Sequence, residues 1–495
     1  MDGPALTLRR TEPQDIVVVG VSGDLAARKL LPALYNLEAE GLLPERGRVF
    51  GYATESWTVD GLRAHARDAI ALYSRTGLDE DVFARFSQRL DYVGAAEGMG
   101  VLAQRLTQPS CVVYLAVPSS AFVALVGELD ASGIAARACL IIEKPFGHDL
   151  ESARALNAAL HAVLPEERIF RIDHYMGKET VQNLIVFRFG NAVFERVWNR
   201  DCITQVEISV AESLGVEHRG HFYEETGAIR DIVQNHLFQV LSIVGMEPPV
   251  NRDAESLRNE KVKVLHACRP VDPADLVRGQ YVAGEIDGVP VRGYREEPGV
   301  SPTSTTETYA ALRMKIDSWR WAGVPFLLRT GKRLRTRDTR VTIAFKDVPF
   351  HLYDGVGQHA VHSNHLAIRV QPDEGIAFSF IAKRPGPEIR TQKVRMDFDY
   401  GTSFKVSPPE AYERLLHDVL HRDHSLFIRQ DEVERGWELV EPILRDPGPV
   451  HPYAAGSWGP DEACTLAGNG HWHSLEDDDP AAVHQQMTAV GPAKG

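Results

Sequence analysis

The sequence predicts an α/β domain built on a parallel sheet, followed by an α+β domain with a large, mainly antiparallel sheet. Three observations carry this. The early apolar runs are short, closed by Gly or Pro and separated by helical patterns, as in a sheet buried on both faces. Later strand-like stretches alternate apolar with polar residues, as in antiparallel strands with one covered face. The 495 residues are ample for two domains with large cores. The expected division is 1–172, 173–475, and a tail at 476–495 that is acidic, then rich in Ala, Gln and Gly, and expected to be disordered.

Asp15-Ile-Val-Val-Val-Gly20 reads as the first buried strand. The turn Gly20-Val-Ser22-Gly23-Asp24-Leu25-Ala26 follows, then the helical spacing Leu30, Leu31, Leu34, Leu37. Strand, glycine turn and helix form a Rossmann-like, doubly wound start. Its backbone N–H groups and helix N-terminus suit a dinucleotide pyrophosphate. The spacing falls short of G-x-G-x-x-G, so a plain strand–turn–helix corner is the alternative. Cys111-Val-Val-Tyr-Leu-Ala-Val-Pro118 is a strand that stops at proline. Cys139-Leu-Ile-Ile-Glu143-Lys144-Pro145-Phe146-Gly147 is another, with Glu-Lys-Pro at its carboxyl end. Gly20, Pro118 and Lys144 therefore fall at strand ends, where parallel sheets bind ligands.

The densest polar chemistry lies in Arg171-Ile172-Asp173-His174-Tyr175-Met176-Gly177-Lys178-Glu179. His174 and Lys178 suit a phosphate, Tyr175 adds a hydroxyl donor, and Asp173 is left to orient a base. The alternative is a solvated loop whose charges pair among themselves. Next comes Gly227-Ala-Ile-Arg230-Asp231-Ile-Val-Gln234-Asn235-His236, with apolar residues at helical spacing from Ile229 to Val244. His236 lies beside that stripe. Asp231 and His236 are five apart, roughly 140° around an α-helix, so a shared site requires wrapping over the helix or Asp231 near its start. Helices are expected near 150–163, 229–245 and 408–421. Strands are expected at Gln205–Val210, Val341–Phe345, Leu366–Val370 and Ala377–Ile381.

Against 54 Lys+Arg stand 68 Asp+Glu, a net charge of −14, which argues against a nucleic-acid or anionic-membrane partner. No apolar run approaches a membrane span and the N-terminus lacks a secretory apolar region. Five cysteines without metal-type spacing point to reduced thiols in a cytoplasm.

Taken together, these motifs, in this order and at these separations, resemble the glucose-6-phosphate dehydrogenase family. The resemblance extends through Pro325-Phe-Leu-Leu-Arg-Thr-Gly-Lys332 and Pro409-Glu-Ala-Tyr-Glu-Arg-Leu-Leu416, covering about residues 13 to 473. It implies oxidation of glucose 6-phosphate at C1 to the lactone by hydride transfer to NAD(P), the first oxidative step of the pentose phosphate pathway. It also implies a homodimer or homotetramer. The proton goes to a base that titrates near neutrality, which suits histidine. By resemblance that base is His236, with Asp173 holding its tautomer. His174, Tyr175 and Lys178 form the phosphate clamp, while Lys144, Glu212, Asp231 and Lys332 contact the sugar. Gly20, Ser22, Gly23, Asp24, Leu25, Thr54, Glu55, Pro118 and Lys144 contact the cofactor. Arg337 is a further guess at the site.

Thr54-Glu55 marks a departure. The family usually has an arginine at position 54, pairing with the 2′-phosphate of NADP. A carboxylate here accepts from a ribose 2′-OH and repels that phosphate. Dual use of NAD and NADP is therefore expected, unless Arg28 or Lys29 supplies the charge. Other sugar dehydrogenases share the glycine turn and Glu-Lys-Pro but lack the Arg-Ile-Asp-His-Tyr segment. A silent sugar-phosphate sensor or assembly partner should have lost Asp173 or His236, and both are present.

Overall fold

The computed structural model describes residues 11–350, 352, 364–404, 409–467 and 472–473; the expected tail at 476–495 lies outside them. The chain forms two compact units. The first comprises Met1–Glu179, Pro249–Glu260 and Pro408–Glu434; the second comprises Thr180–Pro248, Lys261–Ser407 and Arg435–Gly495. Among the described residues, no helix is long and apolar enough to cross a membrane.

The first unit is built on β1 (Gln14–Val19), β2 (Val49–Ala53), β3 (Leu90–Gly94), β4 (Ser110–Leu115), β5 (Ala138–Glu143) and β6 (Ile169–Ile172). They form one sheet in the order β3-β2-β1-β4-β5-β6. Every pairing is parallel. This is the doubly wound Rossmann order, with its reversal between β1 and β4. The apolar runs are buried, as expected of a parallel sheet covered by helices.

Gly20 turns the chain out of β1 at φ 84°, where a side chain is strained, and an added Cβ would lie 2.5 Å from the Ala116 carbonyl oxygen. Its N–H donates to the Tyr52 carbonyl at 2.7 Å, tying the turn to the end of β2. The helix that follows opens with a π-helical stretch, Ala26–Leu30, and continues as an α-helix over Leu31–Ala39. The expected helix near 150 is Leu150–His161, opened by an Asp149 capping box. The helix expected from 408 is Ala411–Leu420 and belongs to this first unit.

The second unit carries β7 (Ile203–Ala211), β8 (Leu276–Val282), the hairpin β9 (Gly284–Ile286) and β10 (Val289–Val291), then β11 (Tyr309–Met314), β12 (Phe326–Gly331), β13 (Asp338–Phe345), β14 (His365–Gln371), β15 (Gly375–Lys383), β16 (Thr391–Asp399) and β17 (Val450–Ala454). The large sheet runs β16-β15-β14-β13-β7-β12-β11-β8-β17. It is antiparallel except at β7–β12 and β8–β17.

The four expected strands lie in β7, β13, β14 and β15, but the expectation of one covered face fails at β7. Its polar alternates Gln205, Glu207 and Ser209 are buried. They face a polar network instead of water. Glu207 accepts from the His473 backbone N–H at 2.9 Å and meets its ring Nδ1 at 2.6 Å. Arg329 donates to Ser209 at 2.9 Å, its guanidinium lying over the Trp458 and Trp472 rings. A polar residue every second position satisfies either environment, so alternation alone does not tell them apart.

Replacing Gly20 by alanine is expected to cost about 1–3 kcal/mol, since the left-handed φ and the backbone contact strain together. Urea unfolding of the variant reads this directly; an unchanged midpoint would show that the turn tolerates a side chain.

Candidate active site

In the first unit the candidate residues occupy successive strand ends. Ser22, Gly23, Asp24 and Leu25 follow β1, and Thr54 and Glu55 follow β2, its parallel neighbour. The Ser22 hydroxyl donates to Glu55 Oε2 at 2.6 Å, and that of Thr54 lies at 3.5 Å. The Ser22 bond first, and a backbone N–H second, hold the Glu55 carboxyl below its usual range, so it is ionised at neutral pH. Of the cations nearby, Arg28 pairs with Asp24 at 2.7 Å and lies over the Tyr73 ring. Lys29 is bonded to Glu410.

Pro118 follows β4, Lys144 follows β5 and Asp173 follows β6. Within the nonapeptide, Arg171 is buried and structural: it holds Glu166 at 2.7 and 2.9 Å and Asn157 at 2.9 Å. Asp173 then starts a tight turn, its Oδ1 accepting from the Tyr175 N–H at 2.9 Å and its carbonyl from the Met176 N–H at 3.0 Å. The Lys178 ammonium sits 3.8 Å from the centre of the Tyr175 ring, and the His174 ring lies 5.2 Å from the same ring. Tyr175 is only 5 % exposed, so its ring is the platform on which the two basic groups rest. Gly177 lets the Ala411–Leu420 helix close on the turn; an added Cβ would stand 2.7 Å from the Ala411 carbonyl oxygen.

The second unit assembles its own cluster from one parallel pair. Ala211 and Gly331 end β7 and β12 in register, so the next residues, Glu212 and Lys332, emerge side by side. Lys332 Nζ lies 2.6 Å from Glu212 Oε2 and 5.0 Å from the centre of the Tyr223 ring. Burial first, then the charges of Asp231 and Glu212, drive the Tyr223 phenol well above its usual range. Tyr223 was not singled out from the sequence: one tyrosine inside the short helix Gly220–Ala228 carries no local signal.

Asp231 and His236 lie on Ile229–Leu237, which is π-helical. The α-helical separation of roughly 140° therefore does not apply. The wider i→i+5 turn of a π-helix brings residues five apart closer to one face than an α-helix does, and Asp231 lies in the first turn. His236 is 1 % exposed, and its backbone N–H donates to Asn235 Oδ1 at 2.6 Å. Glu307, also unsuspected from the sequence, anchors this segment by accepting from the Ile229 N–H at 3.2 Å while paired with Arg278 at 2.8 Å. Arg337 is exposed and donates to Gln371 at 2.9 Å.

The Rossmann order, the glycine turn and the charged strand ends define a dinucleotide-binding dehydrogenase fold with an appended α+β domain. The model of the glucose-6-phosphate dehydrogenase NAD binding domain matches residues 17–183, and that of the C-terminal domain residues 185–473. Glucose-6-phosphate 1-dehydrogenase of Aggregatibacter actinomycetemcomitans is 45% identical over 474 residues, 91% of this chain and 95% of its own. That of Bacillus subtilis is 40% identical, covering 93% and 98%. A solved glucose-6-phosphate dehydrogenase in complex with its substrate glucose-6-phosphate superposes with a TM-score of 0.86 at 34% identity, covering 94% of this chain and 99% of that one. The Mycobacterium avium enzyme gives 0.83 at 39%, with the same coverage. The chain belongs to the glucose-6-phosphate dehydrogenase family.

An alanine at Gly227 is expected to weaken both stability and turnover. Its φ is +63° and an added Cβ would lie 2.4 Å from Glu307 Oε1, so the helix carrying Asp231 and His236 must shift. A loss of about 1–3 kcal/mol is expected in thermal unfolding, with kcat falling in parallel. Wild-type values for both would mean that Glu307 does not fix the segment.

Proposed function

We propose that the chain oxidises glucose 6-phosphate at C1 to 6-phosphogluconolactone, with His236 as the base and Asp173 as its orienting partner. The observation that carries this reading is the polar turn from Asp173 to Lys178, in a chain matched to the family along nearly its whole length. The nicotinamide, when bound, accepts the hydride. His236 takes the C1 hydroxyl proton, and Asp173 fixes the imidazole tautomer and stabilises the imidazolium. His174 and Lys178 hold the 6-phosphate. Glu212, Asp231, Lys332 and Lys144 order the sugar hydroxyls. Assembly as a homodimer or homotetramer is part of the same reading.

Two features support dinucleotide binding. The glycine turn after β1 leads into a helix at the carboxyl end of the parallel sheet, where its backbone N–H groups suit a pyrophosphate. The Glu55 carboxylate, ionised beside the turn, suits a 2′-OH and opposes a 2′-phosphate. With Arg28 and Lys29 both held by carboxylates, the proposal is use of NAD at least as well as NADP. Pro118 and Leu25 line the nucleotide side.

His236→Asn is expected to lower kcat by about 10²–10⁴ while substrate still binds. Asp173→Asn should act on the same step by favouring the wrong tautomer. Near-normal kcat in the histidine variant would remove His236 as the base.

Lys178→Ala is expected to raise KM for glucose 6-phosphate about 10- to 100-fold, the worth of a charged hydrogen bond, with far less effect on free glucose. Equal losses for the two sugars would show that Lys178 does not read the phosphate.

For the cofactor, Thr54→Arg combined with Glu55→Ser is expected to move the ratio of kcat/KM values toward NADP by roughly tenfold or more. No movement would place the 2′-group elsewhere.

A further inference from the structure

Glu143 ends β5, between the strand ends that carry the reaction's proposed residues. On one side the Tyr114 hydroxyl, from β4, donates to Glu143 Oε1 at 2.5 Å. On another, the Tyr412 hydroxyl, from the Ala411–Leu420 helix, donates to the same carboxyl. Burial drives both phenols above their usual range, so they stay protonated and keep an O–H to donate to the carboxylate. The charged groups facing Glu143 are Lys144, next in the chain, and Asp173, which follows its β6 partner Ile172. Farther out, Glu410 acts on Tyr412 and is itself bonded to Lys29.

We propose that Glu143 is a positioning residue for the reaction: clamped by two tyrosines between Lys144 and Asp173, it sets the charge those two residues present. Burial is the main cause and pushes its carboxyl up to about 7, with the two hydroxyls and Lys144 pulling it down and Asp173 pushing it up. The chemistry is an O–H bond made or broken with water; no bond to substrate forms. Below that pH Glu143 is neutral and its pull on the Lys144 ammonium is weaker. Above it the new carboxylate draws on Lys144, and ligand binding weakens. This effect on binding rests on the roles proposed above for Lys144 and Asp173.

The test compares wild type, Glu143→Gln, Tyr114→Phe and Tyr412→Phe over roughly two pH units either side of neutrality. Infrared difference spectra report the carboxyl proton, and steady-state kinetics report KM and kcat for glucose 6-phosphate. The substrate's own phosphate titration is common to all four proteins and cancels between them. Wild type is expected to show a carboxyl band that titrates near pH 7 and is lost in Glu143→Gln. Its KM should rise about fivefold relative to Glu143→Gln as pH increases, with kcat changing little. Each Tyr→Phe variant removes a donor to the carboxylate and should shift the midpoint upward; these variants also carry the test if Glu143→Gln fails to fold. Absence of a band titrating near neutrality, or identical KM profiles in wild type and Glu143→Gln, overturns the proposal. If Asp173→Asn keeps full kcat while the band and the KM profile behave as stated, Glu143 retains its role and the His236–Asp173 assignment fails instead.

Discussion

Parallel strand pairing is the constraint on which the candidate residues of each unit depend. Two parallel neighbours end on the same edge, so whatever follows each strand is delivered to one place. In the first unit this brings Gly20, Glu55, Pro118, Lys144 and Asp173 to one edge of the sheet, after β1, β2, β4, β5 and β6. In the second unit most pairings are antiparallel, and the exception between β7 and β12 sets Glu212 beside Lys332. Antiparallel pairing there would have sent the two residues to opposite edges.

The parts of this arrangement written in local pattern were legible in the sequence. A buried strand closed by glycine and a helical repeat from Leu30 fix β1 and its turn wherever the rest of the chain goes. The Glu-Lys-Pro ending of β5 and the polar turn from Asp173 are equally local. The resemblance to a family then gave roles that no spacing could give, such as which histidine takes the proton. Three things were not legible. The π-helical geometry of Ile229–Leu237 changes which residues share a face, yet leaves the apolar spacing close to that of an α-helix. The buried polar face of β7 looks like a wet one because Glu207 and Ser209 find partners at His473 and Arg329, far along the chain. Glu143 shows in the sequence as a strand-end carboxylate, but its two tyrosine partners come from β4 and from a helix near residue 412, and only the fold brings them together.

Electrostatics gives each unit a distinct character within a chain of net charge −14. Beside the glycine turn Glu55 is ionised, held by Ser22, and Arg28 and Lys29 are held by carboxylates. In the second unit the Lys332 ammonium is in contact with an acid, Glu212. In the first unit the Lys178 ammonium lies over the Tyr175 ring, with the His174 ring edge-on to it.

The proposal that Glu55 sets the cofactor is central, because its ionised carboxylate is bonded to Ser22 in the glycine turn. Its most direct measurement is the steady-state oxidation of glucose 6-phosphate by the wild-type protein with NAD and with NADP, read by the absorbance of the reduced nicotinamide. The account predicts turnover with both and a kcat/KM for NAD equal to or above that for NADP. A preference for NADP of about tenfold or more, equivalent to about 1.4 kcal/mol, would contradict it.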